Sequence, residues 1–301
     1  MQKSHINTLC SNRYLVTLNA DKNLGPAILE REECIKSLLQ QHILDENTHE
    51  RVKEENALKI IYNTKKKALQ LINDYKEYIS EDKYTYFITS FAQNSQHPQF
   101  YGAPKVHKNK VPVPMRPVVS QCGSIFAVLS IFIDFKLQNL TKTIPSYLKN
   151  STSLLDILDK LDELPPSAQV FTPDTTSMYL NIDPKETIPV LEAYLREFGK
   201  ELGNEIREEL IELIMELTKL VMENNEFQFG STWWKQIVDT AMGTTCAFIC
   251  EPVFFSYFER HIIIPKHKKN LPLYWQQIDD IFAIRKQILR DQMLGPNSKK
   301  T

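Results

Sequence analysis

Apolar residues recur at three-, four- and seven-residue spacing through Leu58, Ile61, Tyr62, Leu69, Ile72 and Ile79, with charges between them, and predict one long surface helix. A second stripe, Ile206, Leu210, Leu213, Ile214, Leu217, Leu220 and Val221, predicts another. Its polar face is mostly glutamate, which does not suit a phosphate backbone. "DPKETIPVLEAYLREFGK" is a punctuated helix: Asp183 caps it, Pro184 fits its first turn, Glu186 stands three on from the cap and Gly199 can end it. The apolar stretch 124–140 and "TSLLDILDKL" are helix-like, and "TTCAFICEPVFFSYFE" predicts a buried helix that Pro252 kinks.

Strand signals are fewer. "YLVTLNA" is a short strand followed by the turn "DKNLGP", with helical pattern after it, and "AQVFTPD" is a strand that ends at an acid, Asp174. "LPLYWQQIDDIFAIRK" predicts strand, tight turn, strand, with Trp275, Ile278, Ile281, Phe282 and Ile284 anchoring the two arms. Residues 97–120 hold five prolines and predict an extended, irregular segment with strands at most short. This order implies an α+β fold, a sheet with helices packed on one face.

Composition narrows the reading only a little. A chain of 301 residues, 42% hydrophobic, has ample material for a core. The net charge of −1 gives no bulk attraction to polyanions, so local clusters must supply any: "KKK" at 65–67, "KVHKNK" at 105–110 and "KHKK" at 266–269. Each also reads as a solvated loop. The five cysteines (10, 34, 122, 246, 250) have no framework spacing, and Cys246 and Cys250 suit one helix face better than a zinc knuckle. With no signal-peptide pattern at the N-terminus, free thiols in a reducing, intracellular compartment are expected. The longest apolar run is too short to span a bilayer, so no membrane partner is expected.

The chemistry rests on carboxylates. Asp279 and Asp280 fall at the hairpin turn, where aspartate is also ordinary turn material, and the pair alone leaves both readings open. Asp174, ending a strand, would be the other half of a metal site. A few carboxylates plus substrate phosphates suit Mg²⁺, and this inventory fits phosphoryl transfer.

The ordered set "DKNLGPAILE", "QFYGAPKVHK", "RPVVS", "FTPDTTSMYLNID", "NNEFQFGSTWWKQ", "TAMGTT" and "QIDDIF" resembles the reverse transcriptases of Penelope-like retroelements over about residues 20–285. The resemblance implies the fingers and palm of a right-hand polymerase: an antiparallel palm sheet packed on helices, with a helical N-terminal region. It assigns residues 1–95 to that region and the outer fingers, and 96–301 to fingers and palm. It implies RNA-directed DNA synthesis with an RNA template, a DNA primer, dNTPs and two Mg²⁺ ions, for which Mn²⁺ can substitute. Asp174 is then the metal-binding acid of the first palm motif, and Asp279 and Asp280 are the acids of the x-Asp-Asp motif. Tyr179 stacks under the incoming sugar, Arg116 grips the triphosphate, and Lys105 and Lys108 contact template or triphosphate. Gly243 lets backbone approach template and nucleotide, with Gln236 before it at the family's spacing. A nuclear location follows from the family's need to reach chromosomal DNA.

Three positions depart from the family: Gln277 stands where an aromatic is usual, Asp239 where a glycine is, and Pro252 inside a helix that usually lacks it. The sequence ends about twenty residues past the hairpin, and the expectation is a domain truncated before a further palm segment and thumb. Two readings follow: a reverse transcriptase, or an inactive remnant that keeps only nucleic-acid binding. A phosphohydrolase of another fold explains the acids but not the other motifs.

Overall fold

The computed structural model describes residues 11–161, 163–164, 166–173, 183–199, 207–237, 244–278 and 280–286. The chain forms two compact units: Met1–Lys136 with Tyr179–Ile188 and Ile206–Phe248, and Leu137–Met178 with Pro189–Glu205 and Ile249–Thr301.

The first unit is built on a five-stranded mixed sheet. Its strands are β3 (His49–Val52), β4 (Gln99–Pro104), β5 (Met115–Ser120), β7 (Glu226–Phe229) and β8 (Thr232–Gln236), in the order β3-β8-β7-β4-β5. Strand β4 is parallel to β7; the other pairs are antiparallel. The hairpin β4–β5, with six residues in each strand, corrects the expectation of an irregular 97–120. Pro117 lies on β5, an edge strand, where a missing N–H breaks no inner ladder, and Pro104 ends β4. Gly102 sits under helix α1 (Arg31–Leu38), where any Cβ would collide with the Leu38 side chain. Gly230, with φ 59°, makes the tight β7–β8 turn.

A separate two-stranded ribbon joins β1 (Leu15–Asn19), the expected first strand, to β2 (Pro26–Glu30), a strand where the pattern predicts only a turn and then helix. Between α1, this ribbon and the large sheet lies a core of Cys34, Leu38, Ile43, Phe100, Met115, Val119, Phe227 and Trp234. Helix α2 (Glu54–Asp74) packs on β7 and β8 and against α7 (Glu208–Glu223), which buries the predicted stripe from Leu210 to Val221; Ile206 lies outside the described residues. The single helix expected through Ile79 is two. Tyr75 leaves helical geometry, Ile79 is buried in the extended link, and α3 (Glu81–Gln93) starts after Ser80. Phe87 of α3 meets Phe132 of α4 (Ile125–Leu137) edge-on at 4.8 Å.

His49 of β3 lies against Phe227 at 5.6 Å, and burial, then the nearby charge of His42, lowers its pKa to about 4. The unfolded chain therefore binds a proton that the folded one does not between about pH 6.5 and 4. Stability present above the unfolded pKa is lost as pH falls through the folded one, up to about 3 kcal/mol. Urea midpoints should fall steeply from pH 7 to pH 4.5, and His49→Gln should flatten that slope. An equal slope in the variant would rule His49 out as the source.

The second unit centres on a three-stranded antiparallel sheet, β6-β10-β9: β6 (Ala168–Phe171), β10 (Asp280–Lys286) and β9 (Leu273–Gln277). Helices α5 (Ser151–Leu158), α6 (Pro184–Phe198) and α8 (Ala247–Phe258) form where expected. The Asp183 carboxylate accepts from the Lys185 N–H at 2.8 Å, as a cap should. Pro252 lies inside α8 without ending it, and Cys246 and Cys250 are both buried.

Candidate functional site

The three-stranded sheet brings two strand ends together. Register pairs Phe171 of β6 with Ala283 of β10, and the Ile281 N–H extends the ladder by donating to the Pro173 carbonyl at 3.2 Å. Pro173 precedes Asp174 and Ile281 follows Asp280 in the chain. Asp280 is the exposed first residue of β10, paired with Gln277, the last of β9. Asp174 and Asp279 lie outside the described residues, as do Tyr179, Gly243 and Asp239.

The hairpin tip is strained. Ile278 was expected to anchor a strand; it sits instead in the two-residue turn at φ 55°, partly exposed. A two-residue hairpin turn wants Asn-Gly or Asp-Gly, because a β-branched residue at positive φ crowds its own backbone. The strain is held from below. Buried Gln276 donates its side-chain amide to the Ile278 carbonyl at 2.7 Å. Its main chain is bridged on the outer edge of β9, the N–H to Ser146 O at 2.7 Å and the carbonyl from Leu148 N–H at 2.8 Å. Beside it Tyr274 donates to buried Glu259 at 2.7 Å, and Ser146 donates to the other oxygen of the same carboxylate. Burial raises the Glu259 carboxyl, and burial together with the Glu259 charge raises the Tyr274 phenol. Conformational cost of this kind collects at functional sites, where the surroundings enforce it.

The first unit carries a charged cluster. Arg116 on β5 donates its Nε–H to Asp21 Oδ1 at 2.8 Å and an Nη2–H to Oδ2 at 3.4 Å. Burial by itself would raise the Asp21 carboxyl, but the Arg116 hydrogen bond and charge outweigh it and hold the group below its ordinary value. Lys105 follows β4, with its N–H on Pro114 O at 2.8 Å. Since Ala103 pairs with Arg116, the two-residue period sets Lys105 on the same face. Burial, then the Arg116 charge, lowers the Lys105 pKa. Lys108 is exposed in the turn beyond. Asp21, Lys22, Tyr101 and Ala103 help line an open cleft of about 570 Å³ on this unit. Gln236 ends β8, buried, with its N–H on Asn225 O at 3.1 Å.

Asp21 was not singled out from the sequence, although it stands in the quoted "DKNLGPAILE". Its partner is 95 residues away, and nothing local to either residue signals the pair.

Asp280 offers an exposed, hard carboxylate of the type Mg²⁺ prefers, and the ladder carries the chain neighbour of Asp174 to its side. Among the described residues no group of three metal-capable side chains occurs.

No protein-family model matches the chain, and no curated protein matches it in sequence. Solved structures do. Apo telomerase from Candida tropicalis superposes with a TM-score of 0.59 at 10% identity, covering 95% of this chain and 48% of that one. The fold is reverse-transcriptase-like. Telomerase from Candida albicans in complex with a fragment of telomeric RNA gives a TM-score of 0.55 at 11% identity, covering 94% of this chain and 47% of that one. A Candida tropicalis telomerase truncated of its C-terminal domain gives 0.56 at 10%, with 95% and 55% covered. The chain thus spans about half the length of these structures, and identity at this level shows the reverse-transcriptase-like fold alone.

Proposed function

We propose that this chain is the fingers and palm of an RNA-directed DNA polymerase of the Penelope-like retroelement kind. The observation that carries the proposal is the β6–β10 ladder, which leads the chain next to Asp174 to the strained tip bearing Asp280 in a reverse-transcriptase-like fold. The ordered motifs favour the Penelope-like assignment, with residues 1–95 as a helical N-terminal region and outer fingers and 96–301 as fingers and palm.

Asp174, Asp279 and Asp280 would hold two divalent ions, which when bound activate the attacking primer hydroxyl and stabilise the departing pyrophosphate. Arg116 and Lys105 bind the triphosphate, a planar fork and a point charge on one face of the β4–β5 hairpin. Lys108 contacts template or triphosphate, Tyr179 lies under the sugar and rejects a 2′-hydroxyl, and Gly243 and Gln236 flank the nucleotide. The partners are an RNA template, a DNA primer and dNTPs, and the workplace is the nucleus.

The test is primer extension on an RNA template with dNTPs and Mg²⁺. Incorporation should stop on chelation and return with Mg²⁺ or Mn²⁺. A folded protein that binds RNA but incorporates nothing with either metal would refute polymerase activity and leave the nucleic-acid-binding remnant.

A further inference from the structure

We infer that Asp21 is a positioning residue for nucleotide binding, acting through Arg116; the inference rests on the polymerase reading above. Asp21 takes one edge of the guanidinium, Nε and one Nη2 hydrogen. An arginine has five N–H donors in a fixed plane, so two are used here and three remain for another acceptor. Among the described residues the Arg116 guanidinium makes no other hydrogen bond.

The order of burial decides between two roles. The Asp21 side chain is 9% exposed and that of Arg116 43%, so the arginine is the partner more open to solvent and the carboxylate the more buried one. A phosphate can take the unused donors of the half-exposed Arg116 without displacing Asp21. A competing latch would require the reverse order. Asp21 is itself fixed, because the turn Asp21–Asn23 closes through Ala20 N–H on Gly25 O at 2.8 Å, with Lys22 and Asn23 both at positive φ. The ribbon turn is thus a rigid back-stop that locks a long, rotamer-rich side chain before the nucleotide arrives, which lowers the ordering cost of binding. Lys105 on the same face keeps the cluster net positive despite the buried carboxylate.

Electrostatics and positioning predict opposite signs. Asp21→Asn removes a negative charge, so charge alone should tighten triphosphate binding; loss of the bidentate hold should weaken it. In steady-state primer extension with a single dNTP, Asp21→Asn should raise the nucleotide KM about tenfold with kcat within about twofold. In an Arg116→Ala background the same change should raise KM no further. An unchanged or lowered KM in Asp21→Asn would overturn the inference, as would an equal effect without Arg116. Failure of the polymerase reading is distinguishable, since the wild type would then incorporate nothing. Binding of inorganic tripolyphosphate then reads the same variants. Wild-type binding that both Arg116→Ala and Asp21→Asn weaken supports the positioning role; no wild-type binding, or binding unaffected by Asp21→Asn, sinks it. Should Asp21→Asn fail to fold, Asp21→Glu, which keeps the charge and lengthens the arm, should show an intermediate rise in KM; an unchanged or lowered KM in Asp21→Glu sinks the inference equally.

Discussion

Asp174→Ala and Asp279→Ala should each lower nucleotide incorporation by at least about 10³-fold, and Asp280→Asn should lower it less. A loss of that size corresponds to roughly 4 kcal/mol of transition-state stabilisation, the order expected when a charge-stabilising group is removed from a polar reaction. The ranking follows from the resemblance, which makes the first acid of the x-Asp-Asp pair, Asp279, the stronger candidate for direct ligation. Stability should not follow activity. Asp280 is exposed at the end of β10, and adjacent carboxylates repel when no cation separates them. Melting of Asp280→Asn without metal should therefore match the wild type or rise slightly, while RNA binding stays intact. The informative comparison is activity against melting temperature for each variant. Residual incorporation above about a tenth of wild type in an Asp174→Ala, Asp279→Ala double variant would remove these acids from the chemistry.

The legible parts of this chain are those with local causes. The stripe of α7, the cap at Asp183 and the apolar–polar alternation of β9 and β10 each depend on residues within one or two turns, and each element is present. What was not legible depends on distant partners. Strand β3 is four residues long and exists because β8, more than 180 residues later, offers an edge. Strands β4 and β5 were masked by five prolines, whose harm depends on where in a sheet they fall; an edge position next to β4 is invisible until the sheet is assembled. Ile278 followed the apolar pattern and broke the turn rule, and the pattern misled because Gln276 and the segment 146–148 hold the tip in place. The acids were found by type and order, whereas Asp21 was missed because its meaning lies in Arg116.

Phe227→Ala should produce the largest loss of stability, about 3–5 kcal/mol. Its ring is fully buried at the centre of the core between the large sheet, α1 and the ribbon. It stacks on Phe100 at 5.3 Å and meets His49 edge-on at 5.6 Å, so truncation removes both ring contacts as well as the buried area. Around it Leu38, Ile43 and Met115 are held by α1, the turn after it and β5, which limits how far the cavity can collapse. Phe227→Leu, which keeps most of the volume, should cost under about 1.5 kcal/mol. For a unit of this size the alanine variant should melt roughly 10 °C lower, with the leucine variant close to wild type. A functional consequence accompanies the structural one. Phe100 pairs with Val119 on β5, the strand that carries Arg116, and Leu18 and Leu29 of the ribbon that carries Asp21 pack on the same core. At a temperature where it is still folded, Phe227→Ala should therefore raise the nucleotide KM more than it lowers kcat, in the manner of Asp21→Asn. A melting shift below about 3 °C would mean that this core does not bear on folding as its burial implies. A kcat loss with KM unchanged would separate the core from the nucleotide grip.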